Sequence, residues 1–164
     1  MTRSELEIVI KRRAAITVTI FAALLAINTM IGSSNSSRIL GNTVAANNVW
    51  SWYQAKNVRS VVYTTTADTI TDQKLALYYR SEVQRLRTDP EDGMDALVAR
   101  ARALEDERDH AKRRSPYFTF AGSALQIGIV LSTAAILAVA MSLFWASVGV
   151  GAVGAALLVA GLLG

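Results

Sequence analysis

The absence of charge after Arg114 constrains this chain more than any other feature. From Ser115 to Gly164 there is no Asp, Glu, Lys, Arg or His, and a second uncharged stretch, mostly apolar, runs from Ala14 to Ser37. A charged side chain costs roughly 2.5–3.5 kcal/mol at the centre of a bilayer, so long apolar runs without charge are typical of membrane spans. About 20 helical residues cross the hydrocarbon core. The first run therefore predicts one span, and the second predicts two spans joined by a tight turn.

The predicted fold is an all-α membrane protein with three transmembrane helices and a helical hairpin domain between the first and the second. Ser115-Pro116 predicts the start of the second span, because proline is well suited to the first position of a helix. Phe144-Trp145 predicts the turn before the third span, and Gly32–Ser37 predicts either a flexible exit from the first span or a continuing helix. The predicted segments are an N-terminal tail over 1–13, a first span over 14–32, a helical domain over 33–115, a second span over 116–140 and a third span over 144–164.

The helical domain carries its own start and stop signals. Thr71 or Asp72 predicts the N-cap of a helix that places its apolar side chains from Leu75 to Leu86 on one side. Asp89–Gly93 is the clearest turn in the chain, since proline fixes φ and glycine permits positive φ. After the turn, apolar residues recur at alternating spacings of three and four, which predicts a coiled-coil-like seam and an antiparallel helical hairpin. The residues of this seam are Met94, Leu97, Ala101 and Leu104.

The charge distribution points to a lipid surface. The net charge of +4 arises from 17 basic and 13 acidic residues in a chain of 164, and it is spread through sequence of mixed sign. Lys11–Arg13 and Lys112–Arg114 each stand directly before a span, where basic residues contact lipid headgroups. We therefore expect the bilayer to be a partner and nucleic acid not to be one. Because the first helix usually dominates topology, we expect a cytoplasmic N-terminus.

A segment from Asn47 to Arg59 resembles the signature of a bacterial membrane family, domain of unknown function 4337. Trp50, Tyr53, Gln54 and the Ala-Lys pair that ends in Lys56 match the family's motif, while Trp52 stands where tyrosine is usual. The resemblance covers nearly the whole chain and implies one N-terminal span, a central helical region and two C-terminal spans in a bacterial plasma (inner) membrane. This chain lacks the basic residues that the family commonly has between its last two spans. The family carries no established activity.

Residue types that carry chemistry are sparse. There is no cysteine, so thiolate metal sites are excluded, and His110 is the sole histidine, so only symmetry between subunits could supply a second one. Glu107 and His110 share a helical face, but a di-iron bundle needs further carboxylates, and a solvated face accounts for the pair better. The sequence contains no Gly-rich phosphate loop and no serine triad pattern. We expect no enzymatic activity and no cofactor.

The residues singled out are therefore candidates for packing and association. The aromatic cluster of the family motif lies roughly 27 Å beyond the first span if the helix continues, so we expect it to pack within the helical domain or against a partner. Asn28 and Gln126 are polar residues inside spans, and an interhelical hydrogen bond between them is one prediction. Small residues follow two tracks on the third span, which predicts close packing on two neighbours. The candidate interaction residues are Trp50, Trp52, Tyr53, Gln54, Lys56, Gln126, Ser147, Gly151 and Ala155; the second track is Ala152, Ala156, Ala160 and Gly164.

These features predict a non-enzymatic structural or assembly protein that forms a homo-oligomer through its spans and its helical domain. The alternative is an accessory subunit of a larger electron-transfer or transport complex in the membrane. A third hypothesis is a small oligomeric channel lined by Asn28, Gln126 and small hydroxyl residues. This hypothesis is weaker, because transport pathways usually need ionisable residues within the membrane.

Overall fold

The computed structural model describes residues 3–164, and these residues form four α-helices. The helices are α1 (Arg3–Thr69), α2 (Gln73–Thr88), α3 (Met94–Ala138) and α4 (Met141–Leu163). The predicted all-α fold is confirmed, and α1, α3 and α4 are each long and apolar enough to cross a membrane. The chain divides into two compact units. The first unit comprises the residues up to Ser37 together with Ala111–Gly164, and the second is Arg38–His110.

The N-terminal helix has no break within the described residues. Of the predicted tail, Met1 and Thr2 lie outside the described residues, and the rest belongs to the first turns of α1. Gly32–Ser37 is helical, so the continuing helix is the correct one of the two alternatives. The helix is held there by tertiary contact, because the Asn35 side chain donates to the carbonyl of Ala111 on α3 (2.9 Å).

The predicted helix start at Ser115-Pro116 is wrong, because α3 continues through it. Proline removes one backbone hydrogen bond and usually breaks or kinks a helix in its interior. Here the helix is supported on both sides of the proline, since Ala111 and Phe118 are buried against neighbouring helices. Packing therefore outweighs the local signal.

The predicted turn at Phe144-Trp145 is also wrong. The chain reverses at Val139, whose φ of 51° places it in the left-handed region, and α4 begins at Met141. Phe144 is buried in a cluster with Ala14 and Ala135. An aromatic side chain beside a span end is typical of the lipid interface, but this one is used for packing inside the unit.

In the second unit, the turn and the cap predicted from sequence are confirmed. Asp72 caps α2, and its carboxylate accepts hydrogen bonds from the backbone N–H groups of Lys74 (2.9 Å) and Leu75 (3.3 Å). The apolar seam of α3 packs on α1 rather than on α2: Leu97 and Ala101 form a buried cluster with Val49. Helix α2 also contacts α1, through the rings of Tyr63 and Tyr79 (5.3 Å between centroids). Helix α1 is therefore a shared partner of the two arms of the predicted hairpin.

Candidate functional site

Every seventh residue of α1 from Ala14 to Lys56 faces α3 or the turn that precedes α3. In the first unit, Ala14 lies in the cluster with Ala135, and the ring of Phe21 lies against Gly128. The same spacing recurs in the second unit, where Val49 packs with the α3 seam. A repeat of seven keeps one side of a helix towards a partner. The full series is Ala14, Phe21, Asn28, Asn35, Asn42, Val49 and Lys56.

Three asparagines of this series donate hydrogen bonds to α3. Within the first unit, the Asn28 amide donates to the Phe118 carbonyl (2.9 Å), as Asn35 does to the carbonyl of Ala111. Within the second unit, Asn42 donates to the Glu107 carboxylate (3.2 Å). The side-chain oxygen of Asn28 has no hydrogen-bond partner among the described residues, although the residue is only 5% exposed. Buried asparagines in helix seams fix the register of the two helices.

The family motif contacts the start of α3. The Trp50 indole N–H donates to the Glu105 carboxylate (3.0 Å), and its ring meets the edge of Tyr53 (5.6 Å between centroids, 83°). Both rings pack against the buried cluster of the α3 seam, which includes Leu97 and partly buried Leu104. Trp50 and Tyr53 therefore pack within the second unit, which is one of the two alternatives predicted for the motif.

Lys56 connects the motif to the turn between α2 and α3. Its ammonium donates to the backbone carbonyl of Asp92 and lies 3.4 Å from the Asp92 carboxylate. In the same turn, the Asp89 carboxylate accepts from the backbone N–H groups of Asp92 and Glu91 (3.0 Å each). These two hydrogen bonds, with a smaller contribution from the Lys56 charge, lower the pKa of Asp89 from its ordinary value of 3.8.

The remaining motif residues are exposed on the second unit. Trp52 is 60% exposed, and Gln54 also faces outward. Trp52 borders a groove of about 520 Å³ between α1 and α3. The groove is lined by apolar side chains that include Val49 and Leu97, with Arg100 as its charged residue. An exposed tryptophan beside an apolar groove is a candidate contact for another molecule.

In the first unit, the core is formed where one aromatic ring enters a slot between two glycines. The ring of Phe21 lies so close to Gly151 on α4 that a Cβ there would stand 1.9 Å from the Phe21 Cζ atom. A Cβ on Gly128 of α3 would stand 3.0 Å from the same ring and 3.4 Å from the Cα of Gly151. Small residues therefore let three helices meet around one ring.

Two buried serines, Ser132 and Ser147, form hydrogen bonds beside the slot. The Ser147 hydroxyl donates to the carbonyl of Gly128 (2.9 Å) and lies 2.5 Å from the Ser132 hydroxyl. Since the single proton of Ser147 is used by the carbonyl, Ser132 donates to Ser147. Both serines are fully buried, with 0% exposed.

The two small-residue tracks of α4 face different surroundings. Ser147 and Gly151 are buried among the helices of their own unit, with Ala155 at the edge of that surface. Their neighbours are α1 and α3 of the same chain, so bulk at Gly151 strikes Phe21 before it meets a second molecule. The second track is exposed along its length: Ala152, Ala156, Ala160 and Gly164.

The predicted hydrogen bond between Asn28 and Gln126 does not form. Asn28 is turned towards the Phe118 carbonyl, whereas Gln126 is exposed on the outer side of α3. The Gln126 side-chain amide has no hydrogen-bond partner among the described residues. Its primary amide is thus presented to the surroundings of the unit.

Arg114 joins the end of α4 to α3. Its guanidinium donates to the carbonyls of Gly161 (2.8 Å) and Leu162 (3.0 Å) and lies over the ring of Phe118 (5.9 Å to the centroid). The last carbonyls of a helix have no partner within it, and a cation there also interacts favourably with the helix dipole. Sequence reasoning treated Arg114 only as a residue that flanks a span.

The described residues contain no group of three or more His, Cys, Asp or Glu side chains that could hold a metal ion. Glu107, half of the Glu-x-x-His pair, accepts the hydrogen bond from Asn42.

Comparison with known protein families identifies a match over most of the chain. The model of a family described as Domain of unknown function (DUF4337) matches residues 10–164. The chain belongs to this family. The match includes the Trp50–Lys56 motif and all of α3 and α4, so the predicted family membership is confirmed. No curated protein and no solved structure matches this DUF4337 chain.

Sequence reasoning missed Phe21, Gly128, Asn35 and Asn42 as packing residues. A signal was present, because the heptad series on α1 can be read directly from the sequence. It was hidden in the apolar segment, where the residues between the heptad positions are apolar as well. The polar stretch Gly32–Ser37, which contains Asn35, also separates the apolar members of the repeat.

Proposed function

We propose that this DUF4337 protein is a non-enzymatic membrane protein that acts by assembly and forms a homo-oligomer through its spans and its helical domain. The observation that carries the proposal is an exposed apolar face on α1 in the second unit. This face consists of Leu40, Val44, Val58 and Val62, with Asn47, Ser51 and Ala55 between them.

The face is apolar at both ends, and none of its seven residues is charged. Leu40 and Val58 are 66% and 63% exposed, and no charged residue occurs from Ile39 to Ala55. Soluble surfaces rarely present such a long apolar stripe unless another molecule covers it. The opposite side of the same helix is already buried against α2 and α3.

The spacing of the face favours another helix as its cover. Its residues follow one another at intervals of three and four, the pattern of a coiled-coil seam. Copies held in one membrane have the same orientation, so the two faces meet in parallel with like residues opposite each other. Asn47 then meets Asn47 of the second copy, and the uncharged residues from Ile39 to Ala55 create no repulsion there.

The mass of the protein extracted natively in a mild detergent tests this proposal. We expect a multiple of the 17.7 kDa chain. Val58→Glu should lower the mass or weaken the association, because it places a charge in the seam, whereas Asn57→Glu, exposed on another side of the helix, should not. A single-chain mass for the wild-type protein would contradict self-assembly.

The proposed location is a bacterial inner membrane, with the N-terminus in the cytoplasm and the helical domain on the other side. Lys11, Arg12 and Arg13 before the first span support this orientation. Single cysteines at Ser4 and Asp92, probed with an impermeant maleimide in intact cells, test it. We expect labelling at Asp92 alone; labelling at Ser4 alone would reverse the assignment.

The groove beside Trp52 supports a second candidate function, that of an accessory subunit in a larger membrane complex. An exposed tryptophan and Arg100 are residue types that often dominate the energy of a protein interface. Copurification of a foreign subunit in fixed stoichiometry, lost in Trp52→Ala, would favour this function. The channel hypothesis has less support, because the Asn28 amide donates its hydrogen bond to the Phe118 carbonyl inside the unit.

A further inference from the structure

The outer side of α3 presents one unsatisfied amide in the middle of an uncharged segment. Gln126 lies near the centre of Ser115–Ala138 and is exposed, and its side-chain amide forms no hydrogen bond with any described residue. The side of α3 that faces the other helices is a different one, occupied by buried Ala121, Leu125 and Ala135. In a span, hydrocarbon offers this amide neither a donor nor an acceptor, which is costly for a primary amide.

The residues around Gln126 form a regular face. Thr119, Ser123, Gln126, Val130, Thr133 and Leu137 follow one another at spacings of four, three, four, three and four, and all are exposed. We call these six residues the Gln126 face. At 1.5 Å per residue the face is roughly 27 Å long, nearly the thickness of the hydrocarbon core.

The hydroxyl groups of the Gln126 face are satisfied within α3. Thr119 donates to the carbonyl of Ser115 (3.2 Å), Ser123 to that of Thr119 (3.1 Å) and Thr133 to that of Ile129 (3.0 Å). These side chains therefore act as small spacers that allow a close approach of another helix. Gln126 is the polar group of the face that still needs a partner.

We propose that the Gln126 face binds the same face of a second copy, in a parallel pair in which the two Gln126 amides hydrogen-bond to each other. This deepens the proposed self-assembly and rests on it. An amide carries both donors and an acceptor, so two copies satisfy each other reciprocally. Copies inserted in the same orientation place Gln126 at the same depth, and a two-fold axis along the membrane normal brings the residues together. This complementarity is why a second copy is the occupant.

The absence of cysteine from the chain makes the proposal directly testable. Thr119→Cys and Val130→Cys each place one thiol on the Gln126 face and leave Gln126 intact. Phe120→Cys and Ile127→Cys are matched controls, because they are exposed at similar depths but point away from the face. Oxidation of the full-length chain in native membranes should give disulfide-linked dimers from the first two variants and mainly monomers from the controls.

A second measurement examines the amide itself. Gln126→Leu should raise the dissociation constant of the dimer about tenfold, or about 1.4 kcal/mol, as measured by energy transfer between labelled copies in liposomes. Gln126→Asn keeps a self-complementary amide and should bind more tightly than Gln126→Leu. The substitutions are on an exposed position, so the fold of the unit should persist.

The outcomes separate this inference from the proposed function. A wild-type protein that is a single chain in native extracts refutes both. An oligomeric wild-type protein whose Thr119→Cys and Val130→Cys variants cross-link no better than the controls refutes the Gln126 pair alone. Cross-linking of Val130→Cys to a foreign protein instead of a second copy also overturns it.

Discussion

The slot that receives Phe21 allows the packing of the first unit to be tested atom by atom. A methyl group added in Gly151→Ala would lie 1.9, 2.2 and 2.5 Å from the Cζ, Cε2 and Cε1 atoms of Phe21. Normal carbon contacts are ~3.5–4.0 Å, so the ring would have to move by roughly 1.6–2.1 Å. Gly128 lies against the same ring, which leaves little room for that movement.

The expected cost of Gly151→Ala is that of overpacking a well-filled core, about 1–3 kcal/mol. Gly149→Ala is the matched control, because nothing lies within 4 Å of its new methyl group. It should be neutral or stabilise the helix by up to ~1 kcal/mol, the difference in helix propensity between alanine and glycine. The two substitutions are chemically identical and only two residues apart, so a difference between them reports the contact with Phe21.

Phe21→Ala provides the second arm of a double-mutant cycle. It removes the three ring atoms that the new methyl group would strike, so Gly151→Ala should cost little in that background. The coupling energy should then approach the full cost of the single Gly151→Ala substitution, about 1–3 kcal/mol. Unfolding in mixed micelles with increasing SDS, followed by far-ultraviolet circular dichroism, measures all four proteins.

Two results would refute this reasoning. If Gly151→Ala matches Gly149→Ala, the slot does not exist as described. If its cost is unchanged in the Phe21→Ala background, so that the two effects add within ~0.5 kcal/mol, the ring is not what fills the slot. The larger Gly151→Leu substitution should destabilise the unit more than Gly151→Ala does. It should therefore unfold the unit before it affects association between copies.

Three further predictions concern the turn before α3 and the end of α4. Gly93→Ala should destabilise the second unit by about 1–3 kcal/mol in thermal melting, because its methyl group would lie 2.4 Å from the Asp89 carbonyl oxygen, whereas Gly41→Ala, in open space, should not. The lowered pKa of Asp89 means that its contribution to stability is present above its ordinary value of 3.8 and is lost as the pH falls through the folded value. Melting temperatures should therefore show an acid-side loss below about pH 3.8 that Asp89→Asn removes, and a loss centred near neutral pH would contradict this assignment. Arg114→Gln should speed hydrogen exchange in the last turn of α4, because the carbonyls of Gly161 and Leu162 lose their donor; unchanged exchange would show that the guanidinium does not stabilise that turn.

Much of the second unit could be predicted from local chemistry. Asp72 satisfies the first N–H groups of α2, and the Asp89–Gly93 turn reverses the chain, because both depend on residues close in sequence. The partner of the α3 seam was harder to predict, since Leu97 packs on Val49 of α1 rather than on the helix that adjoins it in sequence. An apolar seam indicates that a helix is covered but does not identify what covers it.

Two candidate association residues have different surroundings in the structure, because an uncharged segment does not show which of its sides is covered. Gly151 and Gln126 both lie in uncharged segments, and sequence placed both among residues for contact with other helices. The structure buries Gly151 against Phe21 and leaves Gln126 exposed. Only the exposed residue remains available to another molecule.

The sequence by itself determined the number and approximate position of the apolar segments, because the cost of burying charge in hydrocarbon excludes Asp, Glu, Lys and Arg along their whole length. Tertiary structure decided which side of each segment faces inward, that α3 continues through Pro116, and that the chain turns at Val139 instead of Phe144. In a soluble helix, the buried side differs from the exposed side in polarity, and the sequence records that difference. In lipid both sides are apolar, so the packed side differs chiefly in size and shape. The fit of the Phe21 ring to Gly151 exists only once three helices meet.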